Sequence, residues 1–438
     1  MPIENSAIRK ASLRLVPFLC LLYFVSYLDR VNISFAALQM NADVGISASA
    51  YGLGASMFFI GYLLFQIPSN LTMGKVGARR WIASIMITWG VVSASTVFVR
   101  GETSLYINRF LLGAAEAGFF PGAVVYMNHW FPRAVRARVV GVLFAAVPFS
   151  SMVGAPISTA LLDCTNGLAG LQGWQWVFLL EGIPSMVCGC ICLWYLTERP
   201  AVARWLTPEE AASLQRLLDR EKAEAEAPGR YRTWEVFTNL RVCLLALVLL
   251  LTLCGSYGVG YWMPQIIRLF TTSRMEVGWL TSAIYLVAVI GMALFALYSD
   301  ASGRRVAPVA VATALGGVGF LVCAAGFGSP VLAIAGLMLA CIGTLAPLPI
   351  FWTLPPTFLT GTAAAVAIAF INSTAQFAGV TVPWLIGVSK DATGGFVAAI
   401  AGLGVALFLA SGVVLYFGSL QTAQSAAGME RRATGVVR

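Results

Sequence analysis

Twelve long stretches of this 438-residue chain carry almost no charge, and they limit its fold more than any other feature of the sequence. A helix needs roughly 20 mostly apolar residues to cross a hydrocarbon core of about 30 Å. The stretches 14–38, 50–72, 80–99, 104–130, 137–162, 174–197, 240–268, 276–299, 306–327, 330–354, 361–386 and 395–418 meet that length. Composition agrees with a bilayer as solvent. Hydrophobic residues make up 59% of the chain and charged residues 11%, against about a quarter charged in soluble domains. The expected fold is an all-α polytopic membrane protein with twelve transmembrane helices. The first stretch follows Arg9, Lys10 and Arg14 in the manner of a signal peptide, but it runs on through Asp29 and Arg30 with no small-residue cleavage site. It reads as an uncleaved first helix.

Charge placement gives an orientation. With the N-terminus in the cytoplasm, 22 of the 28 lysines and arginines fall in cytoplasmic segments. Arg100, Arg268, Arg274 and Lys390 fall outside, and Arg30 and Arg109 lie within helices. That bias is the positive-inside pattern, and it places both termini in the cytoplasm. The net charge of +9 then reflects topology and contact with lipid headgroups, with no call for nucleic acid.

The longest polar stretch, 198–239, separates six spans from six. It contains Pro200, a helical segment from Pro208 to Glu226, then Pro228 and Gly229. A short repeat supports the division. Lys75-Val-Gly77-Ala-Arg79-Arg80 follows the second span, and Asp300-Ala-Ser-Gly303-Arg304-Arg305 follows the eighth. Matching basic turns at matching places are expected of a protein built from repeats. The organisation read from this is a first six-helix bundle (1–197), a cytoplasmic central loop (198–239), a second bundle (240–418) and a cytoplasmic tail (419–438).

These turns resemble the loop between the second and third helices of the major facilitator superfamily. That loop carries Gly-x-x-x-Asp-Arg/Lys-x-Gly-x-Arg/Lys-Arg/Lys. The stretch Asn70 to Arg80 keeps Lys75, Gly77, Arg79 and Arg80 but has Gly74 at the acidic position, and the second half supplies its acid as Asp300. The resemblance implies gating roles for Lys75, Gly77, Arg79, Asp300, Gly303 and Arg304, and it leaves the first-half latch without its acid. Tyr27-Leu-Asp29-Arg30-Val-Asn32, and the run from Arg109 through Gly113, Glu116, Gly118 and Pro121 to Trp130-Phe131-Pro132, are similar to the anion:cation symporter family. So are Trp174-Gln-Trp176-Val-Phe-Leu-Leu-Glu181-Gly182 and Arg204-Trp-Leu-Thr-Pro-Glu-Glu210. Members of that family take up tartrate, sugar acids, phthalate and related carboxylates, and the wording here resembles tartrate-type permeases. The resemblance implies two six-helix bundles that rock about a central cavity in a bacterial inner membrane. It also implies a small organic carboxylate as cargo and protons as the coupling ion.

The charges inside the spans point the same way on physical grounds. An ionised side chain at the bilayer centre costs at least about 2.5 to 3.5 kcal/mol, so it faces a partner or a wet cavity. Asp29 in the first helix and Glu116 in the fourth reach similar depth. Arg109 and Glu116 are seven residues apart, two turns along one helix face or roughly 10.5 Å. Arg30 and Arg109 suit a carboxylate because a guanidinium binds it in a planar, bidentate manner and stays charged when desolvated. Asp29 and Glu116 suit the coupling proton, since an arginine alternately engaged and released by an anion lets a buried carboxyl load and unload. Two alternatives remain open at this point. The four charges could be salt bridges that hold helices together, and the chain could be a sensor, or an exchanger without proton coupling. Asp29 and Arg30 cannot share one face, because adjacent helix positions point about 100° apart.

Glu181, eight residues into the sixth helix, is either part of this polar network or a packing residue. His129 lies beside Trp130 at the end of the fourth span. The second half has no buried arginine or carboxylate before Asp300 and offers Gln265, Trp352, Asn372, Gln376, Tyr257, Tyr261 and Trp262. Gly255, Gly258, Gly260 and Pro264 lead us to expect an interrupted seventh helix, and Pro347, Pro349, Pro355 and Pro356 a broken end to the tenth. Tyr27, Tyr62, Gln265, Trp352 and Asn372 join the arginines as candidate substrate contacts, and the resemblance places Trp352 and Asn372 at family positions that touch cargo. Gly113 to Gly122 read as packing glycines. Cys188, Cys190 and Cys192 read as small packing residues of a chain with no metal-ligand spacing. No Walker sequence, Ser-His-Asp set or haem ligand pair occurs, so the chain reads as a monomeric, cofactor-free transporter rather than an enzyme.

Overall fold

The computed structural model describes residues 3–226, 235–358 and 361–433, and within them every regular element is a helix. Pro228, Gly229 and the last residues of the tail lie outside the described residues. Twelve helices are long and apolar enough to cross a membrane. They are α1 (Ile3–Val44), α2 (Ala48–Val76), α3 (Ala78–Phe98), α4 (Glu102–Asn128), α5 (Arg133–Cys164), α6 (Gly173–Tyr195), α7 (Leu240–Ile267), α8 (Arg274–Ser302), α9 (Val306–Ala325), α10 (Pro330–Thr357), α11 (Val366–Thr393) and α12 (Val397–Gln421). Backbone groups in hydrocarbon must bond within their own segment, and a helix achieves this without a partner strand.

One expectation fails. The seventh span is a single continuous helix, Leu240–Ile267, although it contains three glycines and a proline. Pro264 has no N–H to give the Gly260 carbonyl, yet the helix continues through it for three more residues. Gly255 serves packing: a Cβ there would press on Thr344 and Phe320. Breaks occur in α4 and, as expected, at the end of α10. α4 turns at Ala117–Gly118 between helical pieces Glu102–Glu116 and Phe119–Asn128. α10 steps from Pro330–Leu345 into the short helix Pro347–Phe351, followed by a 3-10 turn at Pro355–Thr357.

The chain forms two compact units. One comprises Met1–Pro228 with Gly260–Leu286 and Val380–Gly395, and the other Gly229–Val259, Val287–Gly379 and Phe396–Arg438. The second unit is centred on an apolar cluster that includes Val242, Leu245, Leu249, Phe351, Ile371, Val414 and Phe417. In the first unit α2 lies directly on α4. Gly61 faces the Phe110 carbonyl and Gly113 faces the backbone of Phe58 and Tyr62, so a Cβ at either position would collide with main chain. This approach brings the side chains of α2 to the charges on α4.

The linker helix Pro208–Glu226 is fastened to the first unit. Lys10 Nζ lies 2.8 Å from Glu210, and Ser6 donates to the same carboxylate at 2.8 Å. The Arg133 backbone N–H donates to Glu221 at 3.0 Å. Trp130 stacks on Trp205 at 5.0 Å, and Arg14 lies over the rings of Tyr195 and Trp205. Hydrogen bonds from Lys10, the Thr207 backbone and Ser6 hold the Glu210 carboxyl down to about 2.

Two measurements test this account. Gly113→Leu forces α2 and α4 apart, and such overpacking costs typically 1–3 kcal/mol or more; thermal unfolding in detergent should show the loss, while Gly141→Leu, whose Cβ would meet open space, should not. A carboxyl depressed in the folded state contributes stability that is complete above its unfolded value near 4.3 and is lost as pH falls toward the folded one. Hydrogen exchange of Pro208–Glu226, corrected for intrinsic rate, should therefore lose protection between about pH 5 and pH 2, a loss that Glu210→Gln abolishes.

Candidate functional site

Four elements of the first unit converge on α1, and helical spacing decides which residues meet. Ser26 and Arg30 are four apart on α1 and share a face. That face meets α4: Ser26 Oγ donates to Glu116 Oε1 at 3.0 Å, and Arg30 Nη2 donates to the same oxygen. Asp29, rotated about 100° from Arg30, faces α3 and α6 instead. Trp89 and Ser93, again four apart, present their donors together. Trp89 Nε1 donates to Asp29 Oδ2 at 2.7 Å and Ser93 Oγ to Oδ1 at 3.0 Å, while Ser185 Oγ from α6 adds a short bond to Oδ2. Asp29 is 1% exposed and Glu116 2%. The two acids thus stand in different settings, one with an arginine and one with three neutral donors.

Arg30 is packed between aromatic rings as well. Its guanidinium carbon lies 4.9 Å from the Tyr27 centroid, 5.1 Å from Phe58 and 5.6 Å from Tyr62, where ring faces replace part of the lost hydration. Arg109 differs. It is fully buried, its charge lies 5.7 Å from the Phe58 ring, and Nε, Nη1 and Nη2 all lack a hydrogen-bond partner in the protein. A guanidinium offers five N–H donors, and leaving a buried polar group unpaired costs about 1–3 kcal/mol, more when it is charged. Tyr261, Tyr51, Glu116 and Asp29 are its neighbours among the titratable groups. Tyr51 donates to the Tyr261 carbonyl at 2.8 Å. The Tyr261 hydroxyl and Gln265 Nε2 are also buried without partners. Gln265 Oε1 accepts from Lys390 at 3.4 Å. The unsatisfied donors of Arg109, Tyr261 and Gln265 make this a place built to receive acceptor atoms.

The remaining candidates have the following surroundings. Trp352 packs against the apolar cluster of the second unit, where Asn372 is half-buried and Tyr257 donates to Gln376 at 2.7 Å. Lys75 is exposed. Gly77 holds a left-handed φ of 92° at the α2–α3 turn, and the Arg79 N–H donates to Glu198 at 3.3 Å. In the second turn Gly303 has φ 64°, Arg305 pairs with Asp300 at 2.6 Å, and the Arg304 carbonyl accepts from Ser299. A hollow of about 400 Å³ bordered by Asp43, Arg100, Gln172 and Trp174 includes none of the buried charges. Sequence reasoning did not single out Tyr51, Phe58, Trp89, Ser93 and Ser185. Aromatic and hydroxyl residues are ordinary in membrane helices, and only the three-dimensional path of α2, α3 and α6 reveals what they face.

Buried, partly unpaired charges within membrane-spanning helices suit a membrane transporter. The Major Facilitator Superfamily profile matches residues 19–383, and the chain belongs to that superfamily. A "Putative tartrate transporter" of Agrobacterium vitis is 46% identical over 394 residues, covering 90% of this chain and 87% of that protein. The "Putative metabolite transport protein NicT" of Pseudomonas putida is 40% identical over 386 residues and 88% of each chain. A partially occluded, inward open structure of the xylose transporter XylE from E. coli shares the fold with a TM-score of 0.73 at 15% identity, over 92% of this chain and 99% of that one.

The Asp29 setting can be tested by stability. Trp89→Phe removes a bond to a buried carboxyl and should cost about 1.5–3 kcal/mol. Combined with Asp29→Asn, the same substitution should cost clearly less, as read from a double-mutant cycle of thermal unfolding.

Proposed function

We propose that this transporter imports a small organic acid anion, tartrate or a related dicarboxylate or sugar acid, together with protons, by alternating access. The single observation that carries the reading is Arg109, fully buried with all three guanidinium nitrogens unpartnered. A carboxylate is the ligand that such a fork accommodates best, because two parallel N–H···O bonds satisfy charge and geometry together. The Tyr261 hydroxyl and Gln265 amide, unpartnered in the same place, suit the hydroxyl or second carboxylate of such an acid. The names of the relatives from Agrobacterium vitis agree with this class of cargo.

Glu116 is the proton site of the main cycle. Paired with Arg30 and Ser26 it is ionised; when Arg30 turns toward the anion, the carboxylate is left in hydrocarbon without its cation and takes up a proton. Cargo and proton then travel together. A cation exporter is disfavoured, because two arginines inside the spans repel positive cargo, and a neutral-sugar facilitator leaves all four charges without purpose. The charge bias of the loops supports a bacterial inner membrane setting with both termini cytoplasmic, and the chain acts as a monomer with lipid around it.

In proteoliposomes, Arg109→Ala should weaken radiolabelled tartrate binding at least roughly 100-fold, the scale of bonds to a charged group worth about 1.5–3 kcal/mol each. Arg109→Lys should not restore it, since an ammonium lacks the fork. Tartrate bound by Arg109→Ala with unchanged affinity would sink the site. Glu116→Gln should keep counterflow exchange and lose accumulation driven by a pH gradient; uphill uptake at the native rate would rule out proton coupling through Glu116.

A further inference from the structure

We propose that Glu181 is a second proton seat of this transporter, separate from the Arg30–Glu116 pair and linked to Asp29 through Asn32. The proposal rests on the proton-coupled reading above and extends it to a carboxyl that the anion never meets.

Glu181 lies on α6 and is 2% exposed. Its Oε1 accepts from Ser158 of α5 at 2.6 Å, while Oε2 has no hydrogen-bond partner. Asn32 of α1, 0% exposed, neighbours both acids: its Nδ2 donates toward Asp29 Oδ1 at 3.5 Å, Glu181 lies close to its side chain, and its Oδ1 is unpartnered. Two orphaned acceptor oxygens in one buried neighbourhood lack a donor. An ionised carboxylate only accepts, whereas a protonated carboxyl supplies an O–H.

Charge gives the same assignment. α6 packs against α1, α3 and α5. Among the described groups that act on Glu181, α5 presents Ser158 and α1 presents Asn32 and Asp29, of which only Asp29 is charged. Its partners from α3, Trp89 and Ser93, are neutral. No arginine or lysine is among them. Neither carboxylate has an ion-pair partner among the described residues, and two such neighbouring acids do not both ionise, so one keeps a proton. Asp29 has donors from Trp89, Ser93 and Ser185, which serve its ionised form; Glu181 has one. The proton therefore sits on Glu181 Oε2. In transport the O–H bond forms with a proton taken from water on one side of the membrane and breaks when that proton is released to water on the other, with no redox change.

The test uses the full-length chain reconstituted in lipid and followed by infrared difference spectroscopy during a pH titration in D2O. The wild type should show a C=O stretch of a protonated carboxyl that Glu181→Gln removes and Glu181→Asp restores at a shifted position. In a transport assay with tartrate, Glu181→Gln should carry one fewer proton per substrate while Arg109-dependent tartrate binding persists. Identical protonated-carboxyl spectra for wild type and Glu181→Gln over the whole titration overturn the proposal. So does a carboxylate response to added Na+ that Glu181→Gln abolishes, because the seat would then belong to sodium. The infrared signal needs no cargo. If the wild type moves no protons with tartrate yet keeps the Glu181 band, the coupled-import reading fails and the seat stands; if protons move but the band is absent, the reverse holds.

Discussion

A guanidinium inside hydrocarbon has lost the water that normally solvates it, and the first half of this protein is arranged around replacing that water. For Arg30 the replacement is complete enough to hold it: a carboxylate on α4 and three ring faces from α1 and α2. For Arg109 it is partial, with a ring face and nearby phenols but no acceptor on any nitrogen. The contrast separates a paired arginine from one left to be satisfied by cargo. The close approach of α2 and α4 at Gly61 and Gly113 serves the same end, because it brings Phe58 and Tyr62 over the charges.

The acids are divided just as sharply. Glu116 is held by a cation, Arg30, and by the Ser26 hydroxyl. Asp29 depends on an indole and two hydroxyls that carry no charge. An interaction between charges responds to an arriving anion, whereas a cage of neutral dipoles responds mainly to the arrangement of the helices that carry it. Asp29 thus ties α1 to α3 and α6, and Glu116 ties α4 to α1.

Much of this was legible in the sequence. The twelve spans could be read because hydrocarbon demands a length and an absence of charge that few other structures need. Asp29, Arg30, Arg109 and Glu116 were conspicuous for the same reason, and the angle between adjacent helix positions foretold that Asp29 and Arg30 would look different ways. It could not be read which arginine would reach Glu116, since that depends on where α1 crosses α4. Nor could the continuity of α7 be read: glycines weaken a helix in water, but in a membrane helix the same residues allow close packing, as Gly255 does against Thr344. Trp89, Ser93 and Ser185 carry no signal of their own, because a donor becomes informative only when its acceptor is known. Trp352 and Asn372 matched a family pattern, yet Trp352 is bedded in an apolar cluster, a setting that sequence alone does not distinguish from a cavity wall.

The wiring of Asp29 also bears on how the chain is made. Its partners Trp89 and Ser185 follow it by 60 and 156 residues. At about 5–20 residues per second the ribosome needs on the order of 10 s to supply the second of them. Until then the acid of α1 lacks its last partner, and its arginine waits 86 residues for Glu116. The first helix is thus a poor candidate for early release into lipid, and the six helices of the first half have reason to leave the insertion machinery as a group.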